Sequence, residues 1–374
     1  MAFEATLPRR NPWPVASPAV WLRWAACAAA VAVLVRTLAA SDLRLAASLI
    51  ADAGPRVLAI FVPCACAIAL DALGCRTLFG ALTRAPAYAR VLGARFAGEA
   101  VAMSLPAGGV VVESLNPVLL KERCGLGYGD AVAGMAAKKW LVMRAHAVYI
   151  ALSVAVGFRF LSERSVAIVG VPGLPWIVLG SALVPLLLSV GLEASLARGS
   201  VAGKLVRALG SLPSKRLQAW VASRGRAIAE TDARFACIAS ARAACARGLV
   251  IFAGAWLLES VETLVILRVL GAEVGLGEVL SFEAGLSLLR SMAFFSPAGL
   301  GVQDLGYIAF LGSLGIPEAA SIAAAFVLLK RAKEMVYVAA GYAVLWATSP
   351  SRAAGALSVT RTLPSRNAPG EGLL

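Results

Sequence analysis

The stretch Pro297-Ala298-Gly299-Leu300-Gly301-Val302-Gln303-Asp304 interrupts an apolar region and decides how the chain folds. Proline lacks a backbone N–H and glycine lowers the cost of leaving a helix, so this stretch predicts a helix break. The flanking segments 282–295 and 305–314 are apolar enough to lie in lipid. Broken backbone is tolerated there only inside protein or beside a water-filled cavity. We therefore expect a broken helical hairpin rather than an ordinary surface loop.

A second copy of this break occurs upstream, as Pro106-Ala107-Gly108-Gly109-Val110-Val111-Val112-Glu113. Both copies read Pro-Ala-Gly, and an acidic residue follows each proline after seven positions. Matched breaks in the two halves of an apolar chain indicate a binding site of the kind that transporters use. The hairpin breaks are accordingly assigned to Pro106, Gly108, Gly109, Pro297, Gly299 and Gly301.

The composition is that of an integral membrane protein. The 374 residues are 60% hydrophobic and 15% charged, with a mean hydropathy of +0.80, whereas about 25% of residues are charged in soluble domains. The length suits roughly six to eight membrane spans. The net charge of +14 comes from basic residues between apolar spans. It therefore indicates attraction to an anionic inner leaflet rather than nucleic-acid binding.

The apolar segments predict an all-α protein of spanning helices, two re-entrant hairpins and one basic surface segment. The predicted spans are 19–39, 56–75, 130–158, 175–195, 248–270 and 318–347, the hairpins are 96–123 and 279–314, and a basic amphipathic segment covers 196–247. The first apolar segment resembles a secretory signal, but Arg36 interrupts its end, and we expect a retained span. A loop is expected at 40–56. The Ser/Arg/Pro/Gly-rich tail 348–374 is expected to be disordered.

Positive charge predicts the orientation of these spans. Cytoplasmic placement of 76–95, 196–247 and the tail puts both termini in the cytoplasm and the loops at 40–56, 160–174 and 268–278 outside. The first hairpin then enters from the cytoplasmic side and the second from the outside. The chain thus divides into two inverted-topology repeats, 1–174 and 175–347, each with three spanning helices and one hairpin. The pairs Val148-Tyr149 and Val336-Tyr337, which follow the two breaks, support this division.

The second break belongs to a longer pattern. Pro297 to Asp304 is followed by Gly306-Tyr307, Gly315-Ile316-Pro317 and Lys330-Arg331. This pattern resembles the flippase-like family that includes the transmembrane region of lysyl-phosphatidylglycerol synthases. It is most similar to the hopanoid-biosynthesis-associated branch. The resemblance covers most of 90–345, and its sharp motif lies within about 290–335.

The resemblance implies a multi-pass protein of the bacterial inner membrane that binds or translocates lipid. The synthases add a large soluble aminoacyl-transfer domain, whereas only a tail follows residue 350 here. Synthase activity is therefore not carried over, and we expect a protein that is not an enzyme and uses no cofactor. The expected partners are membrane lipids, anionic phospholipid or a related lipid, with a second copy or a lipid-pathway enzyme as further candidates.

Charged residues within apolar segments are functional candidates by default. Glu113 and Asp304 follow the two breaks, where a carboxylate can cap freed backbone N–H groups or bind a cationic headgroup or a proton. Glu99 and Arg290 lie seven residues before the two prolines. They are interpreted either as a structural ion pair or as a gate that opens during transport.

Basic residues provide candidates for a lipid phosphate. These are Lys138, Lys139, Arg144, Lys330, Arg331 and Lys333. Some of these side chains are expected only to snorkel to the membrane interface. Lys330 and Arg331, at the family-matching position, are the stronger candidates for a headgroup role.

Two acids lie within the predicted fifth span. Glu259 and Glu262 share a helix face and are interpreted either as a proton relay or as partners for Arg290 or Lys330. His146, the single histidine, is expected to be a satisfied bundle residue rather than a proton carrier. A single histidine argues against a multi-histidine metal site, so we expect no metal site. The seven cysteines lack CxxC spacing and are interpreted as small buried hydrophobic residues.

These observations favour a lipid flippase or lipid transporter that binds a phospholipid-type headgroup between the hairpins. No Walker motif (GxxxxGK[ST]) occurs, so the sequence gives no support for ATP hydrolysis by the chain itself. One alternative is a non-transporting scaffold in a lipid or hopanoid pathway. Another is an intramembrane lipid-phosphate enzyme using Ser104 or Ser296, which lie beside the prolines.

Overall fold

The computed structural model describes residues 42–82, 85–105, 108–197, 215–292, 299–316 and 318–347, and also residues 32, 35 and 36. At 196–197, 215–224, 226, 228, 288 and 290–292 the description covers the backbone alone. Most of the predicted first span, the prolines of both breaks and the predicted disordered tail therefore lie outside the described residues.

The described part of the chain is all-α, as the sequence predicts, and contains no strand. Its helices are α1 (Leu43–Ala53), α2 (Phe61–Phe79), α3 (Tyr88–Ser104), α4 (Gly108–Cys124), α5 (Tyr128–Val169), α6 (Leu174–Ser181), α7 (Leu183–Ala197), α8 (Lys215–Ser240), α9 (Arg242–Val269), α10 (Leu276–Met292), α11 (Val302–Ser313) and α12 (Ala319–Ala347). A 3-10 turn, Gly54–Ile60, joins α1 to α2.

Four helical segments within the described residues are long and apolar enough to cross a membrane. They are Leu43–Phe79, Tyr128–Val169, Leu174–Ser195 and Arg242–Val269. The chain is therefore a multi-pass membrane protein. Helix α12 matches the predicted sixth span in position but is not one of these four, because it carries Lys330, Arg331, Lys333 and Glu334 in its middle.

The loop predicted at 40–56 is wrong, because most of it is helix α1. The Asp42 carboxylate caps this helix by accepting hydrogen bonds from the N–H groups of Arg44 and Leu45, at 3.0 and 3.1 Å. Ala46 and Ala53 are buried. The mixed charges of the segment concealed an N-cap followed by a helix with one apolar face.

The basic segment forms a helix where the structure describes it. Phe235 and Ile238, near the end of α8, are buried in a cluster with Leu78 and Trp140. This end of the helix therefore packs against the bundle. The contact of the remaining segment with a membrane surface stays a prediction.

Two pairs of helices occupy the positions of the predicted hairpins, α3 with α4 and α10 with α11. In the first hairpin, a Cβ placed on Gly108 would lie 2.3 Å from the Ala102 carbonyl oxygen. The two arms therefore meet where only glycine fits. In the second, Gly301 (φ 85°) begins α11, and its N–H donates to the Asp304 carboxylate at 2.9 Å.

Each hairpin packs on the long helix of the other half. A Cβ on Gly157 of α5 would collide with Ser281 of α10, and a Cβ on Gly341 of α12 would lie 2.4 Å from the Ala100 Cβ of α3. The hydroxyl of Tyr149 lies 2.6 Å from Ser260 Oγ in α9. This exchange of contacts is what two related halves would produce, but the division at 174/175 and the inverted orientation stay predictions.

The two tyrosines that follow the breaks, Tyr149 and Tyr337, each contact a helix from the other part of the chain. Tyr149 of α5 reaches α9, as described above, and Tyr337 of α12 donates to the Phe61 carbonyl oxygen of α2 at 2.6 Å. Helices α2 and α9 themselves pack closely, since a Cβ on Gly74 would lie 2.5 Å from the Phe252 ring. Helices α2 and α9 therefore form a close contact between the earlier and the later part of the chain.

Candidate functional site

A cavity of about 670 Å³ lies between the two hairpins. Gly109 at the first break and Gly299 at the second both line it, and Phe252, Trp256 and Val142 contribute apolar wall. Its volume is within the range of about 300–1,000 Å³ that is typical of small-molecule sites. Both breaks therefore border one cavity, which the sequence predicts.

The walls of this central cavity carry charges of both signs. They comprise six acids and four bases: Asp71, Glu99, Glu113, Glu259, Glu262, Glu334, Arg95, Lys139, Lys330 and Lys333. Charges are costly inside a membrane protein unless they are paired or face water. The structure brings seven of the charged residues singled out from the sequence to this cavity, namely Glu99, Glu113, Lys139, Glu259, Glu262, Lys330 and Lys333.

In the second half of the chain, Glu262 of α9 binds two lysines of α12. Its carboxylate is buried, 3.2 Å from Lys330 Nζ, and it also forms an ion pair with Lys333. The Lys330 ammonium group lies 5.2 Å from the centre of the Tyr307 ring, a cation–π contact. Of the two interpretations of Glu262, these contacts favour the ion-pair partner of Lys330.

In the first half, Asp71 of α2 plays the corresponding part. Its carboxylate lies 2.5 Å from Arg95 Nε and 2.7 Å from Lys138 Nζ. Each half therefore contributes one cavity-lining acid that binds two basic side chains, although Lys138 itself does not line the cavity. The Lys138 ammonium group is directed to Asp71, so its predicted phosphate-binding role is not what its contacts in this structure show.

Sequence reasoning missed Asp71 and placed Arg95 in a cytoplasmic basic segment. Two signals were available. Asp71 lies within the apolar stretch predicted as span two, where a charge marks a functional candidate. The separation of Asp71 from Glu262 is 262 − 71 = 191 residues, the same as that of Pro106 from Pro297, 297 − 106 = 191.

Arg331 and Asp304 form a clamp at the start of α11. The Asp304 carboxylate is fully buried and accepts from Arg331 Nη2 at 2.7 Å and from Arg331 Nε at 3.1 Å. Arg331 also pairs with Glu334. Neither Arg331 nor Asp304 lines the central cavity. These contacts favour the capping interpretation of Asp304, and headgroup binding by the pair stays a prediction.

Arg144 lies apart from the other candidates. It stacks over the Trp140 ring at 4.8 Å, donates to Ser189 Oγ at 2.9 Å and pairs with Glu193 of α7. It does not line the central cavity, so its contacts join α5 to α7. An arginine in an apolar span can serve packing as well as ligand binding, and its position along the sequence does not distinguish the two.

Lys139 and Glu113 form a more accessible pair in the cavity wall. Lys139 Nζ lies 2.7 Å from Glu113 Oε1, and their side chains are 54% and 40% exposed. Glu99 lies 3.9 Å from Arg95 Nη2. Its predicted pairing with Arg290 lies outside the described residues, because the Arg290 side chain is not among them.

Two further residues lie within the bundle, His146 partly buried and Glu283 buried. His146 stacks on Trp256, with ring centres 4.1 Å apart, and its role as a satisfied bundle residue stays a prediction. Glu283 of α10, which the sequence analysis did not single out, is buried and accepts a hydrogen bond from the Tyr307 hydroxyl at 2.7 Å. The Gln303 side chain, at the cavity wall, donates to that same hydroxyl at 3.2 Å.

The helical fold and the charged cavity define a multi-pass membrane protein with a polar site in its interior. The chain belongs to the family of the lysylphosphatidylglycerol synthase TM region, whose family model matches residues 23–341. The family predicted from the second break is thereby confirmed, and its hopanoid-associated branch stays a prediction. Neither the curated proteins nor the solved structures contain a match to this chain.

Proposed function

We propose that this protein translocates a phospholipid-type lipid across the bacterial inner membrane, with its termini in the cytoplasm and the lipid headgroup in the central cavity. One observation carries the proposal. Gly109 and Gly299, one glycine from each predicted break segment, border a single cavity whose walls carry charges of both signs. Family membership supports a role with membrane lipid.

The cavity meets the physical demand of such a task. Taking a charged headgroup through hydrocarbon without compensation costs many kcal/mol. A lining of carboxylates and ammonium groups offers partners for both a phosphate and a cationic group. Acyl chains can remain outside, because the bundle exposes apolar side chains such as Val184 and Leu187.

Within the cavity, the accessible pair Lys139–Glu113 is the better candidate for direct headgroup contact. Half-exposed ion pairs contribute only about 0–1 kcal/mol, so a headgroup can replace either partner at small cost. Lys330 and Lys333 are buried against Glu262. Separating either lysine from Glu262 would cost far more free energy. They set the charge of the cavity wall.

The test is lipid scrambling in proteoliposomes, with a fluorescent phospholipid and a membrane-impermeant quencher. Wild-type protein is expected to move the probe faster than empty vesicles do. Lys139→Ala should slow this rate about tenfold, because the variant loses a hydrogen bond to the charged lipid headgroup. The matched control is Arg159→Ala, whose exposed side chain pairs with Glu163 at 2.8 Å.

Two outcomes would count against translocation. Failure of wild-type protein to move any headgroup above the empty-vesicle rate would reject it outright. Equal rates for Lys139→Ala and Arg159→Ala would reject the assignment of Lys139 to the headgroup.

A non-transporting scaffold for a lipid-modifying enzyme is the second candidate. The observation that favours it is the family description, which names the membrane region of a synthase. It predicts copurification with such an enzyme and no scrambling. An enzyme acting through Ser104 has less support, because the Ser104 hydroxyl lies 2.8 Å from the Tyr342 hydroxyl and does not line the central cavity.

A further inference from the structure

A second cavity, of about 570 Å³, lies where α2 ends and α9 begins. Three arginines line it: Arg76, Arg242 and Arg247. The remaining lining is glycine, alanine and Thr77. Small side chains leave the space between the guanidinium groups open. We call this cavity the arginine pocket.

No carboxylate lines the arginine pocket among the residues that the structure describes. Arg242 and Arg247 are exposed, and within that part of the chain neither forms an ion pair. Arg76 Nε donates to the Pro86 carbonyl oxygen at 3.0 Å, which holds its guanidinium group at the wall. Within the described residues, the pocket therefore concentrates positive charge without a carboxylate to balance it.

The start of α9 adds backbone donors to the same cavity. Its N-cap residue, Ala241, provides no side-chain acceptor for the first-turn N–H groups. Such groups lack a partner within the helix and favour an anion. Arginine forks match phosphate oxygens in geometry. The chemistry of the three side chains and these donors together is that of a phosphate site.

The position of the pocket along the candidate spanning helices also indicates what it binds. It is formed at the end of Leu43–Phe79 and the start of Arg242–Val269, two of the candidate membrane spans. These ends pack side by side, since a Cβ on Gly248 would lie 3.5 Å from the Leu78 side chain. Span ends mark the headgroup region, and basic pockets between spanning helices on the cytoplasmic side bind multiply charged lipid headgroups.

We propose that the arginine pocket is a second ligand site, separate from the central cavity, for an anion that carries two phosphate charges. Its position at the ends of two spans favours the headgroup of a lipid that carries two phosphate groups over a free anion. The site does not depend on translocation. Occupancy would tie the ends of α2 and α9 together and so raise the thermal stability of the protein.

The test is native mass spectrometry of the purified full chain with cardiolipin, phosphatidylcholine or inorganic pyrophosphate, together with unfolding temperatures. The double variant Arg242→Gln/Arg247→Gln should weaken cardiolipin binding about tenfold or more and abolish its thermal stabilisation. The matched control, Arg90→Gln/Lys121→Gln, removes two exposed charges outside the pocket from the side predicted to be cytoplasmic. It should retain both effects.

Each outcome either supports or overturns the arginine pocket as a ligand site. Selective loss of cardiolipin binding in the pocket variant supports a lipid ligand, whereas selective loss of pyrophosphate binding alone supports the site with a water-soluble ligand. Equal affinities for the pocket and control variants toward both anions would overturn the proposal. Scrambling is measured separately, so its failure would leave this site untouched.

Discussion

At the scale of single residues, the stability of the bundle depends on the buried carboxylate of Glu262. It binds Lys330 and Lys333 in the interior of the bundle. Glu262→Gln would leave two buried ammonium groups without their carboxylate. We expect a loss of about 3–5 kcal/mol in stability, measured as a lower thermal unfolding midpoint in detergent.

The matched control for that change is Glu163→Gln. Glu163 is 59% exposed and pairs with the exposed Arg159 on the same helix. Removing an exposed pair of this kind should change stability by at most about 0.5 kcal/mol. Similar midpoints for the two variants would show that Glu262 does not hold the lysines as described.

At the scale of elements, two neighbouring glycines separate packing from helix propensity in the first hairpin. A Cβ on Gly108 would lie 2.3 Å from the Ala102 carbonyl oxygen, whereas a Cβ on Gly109 would meet nothing within 4 Å. Gly108→Ala should therefore force the arms of the hairpin apart and lower the unfolding midpoint. Gly109→Ala should be neutral or stabilise the helix by up to about 1 kcal/mol.

The comparison is made by thermal unfolding of both variants in the same detergent. Because both changes add one methyl group at adjacent positions, differences in expression or hydrophobicity cancel. An unfolding midpoint for Gly108→Ala at or above that of Gly109→Ala would contradict the close approach of α3 and α4.

At the scale of the whole molecule, the prediction concerns the sides from which the hairpins enter. Glu122, near the end of the first hairpin, and Glu273, before the second, are both exposed. In a cysteine-free background, Glu273→Cys should react with a membrane-impermeant maleimide in intact cells. Glu122→Cys should react only after permeabilisation, because its segment is predicted to be cytoplasmic.

This experiment also tests the inverted repeats. The contacts of Gly157 with α10 and of Gly341 with α3 are what two related halves would produce, but they do not fix which side faces the cytoplasm. Labelling of both cysteines from the same side would remove the inverted arrangement and leave only the exchange of contacts.

The sequence by itself determined the membrane class, the helical fold, the family and the places of the two breaks. These follow from local chemistry. Long apolar segments require lipid, and proline and glycine interrupt helices. The shared 191-residue separation of the breaks and of Asp71 from Glu262 was also present in the sequence.

Only the tertiary structure decided which charges meet. Nothing local distinguishes Arg144, which pairs with Glu193, from Lys139, which lines the central cavity with Glu113. The face that a helical side chain presents to a partner depends on how distant helices pack, and residues far apart in sequence then share one cavity. Asp71 gained its partners in that way, because Arg95 and Lys138 come from two other helices.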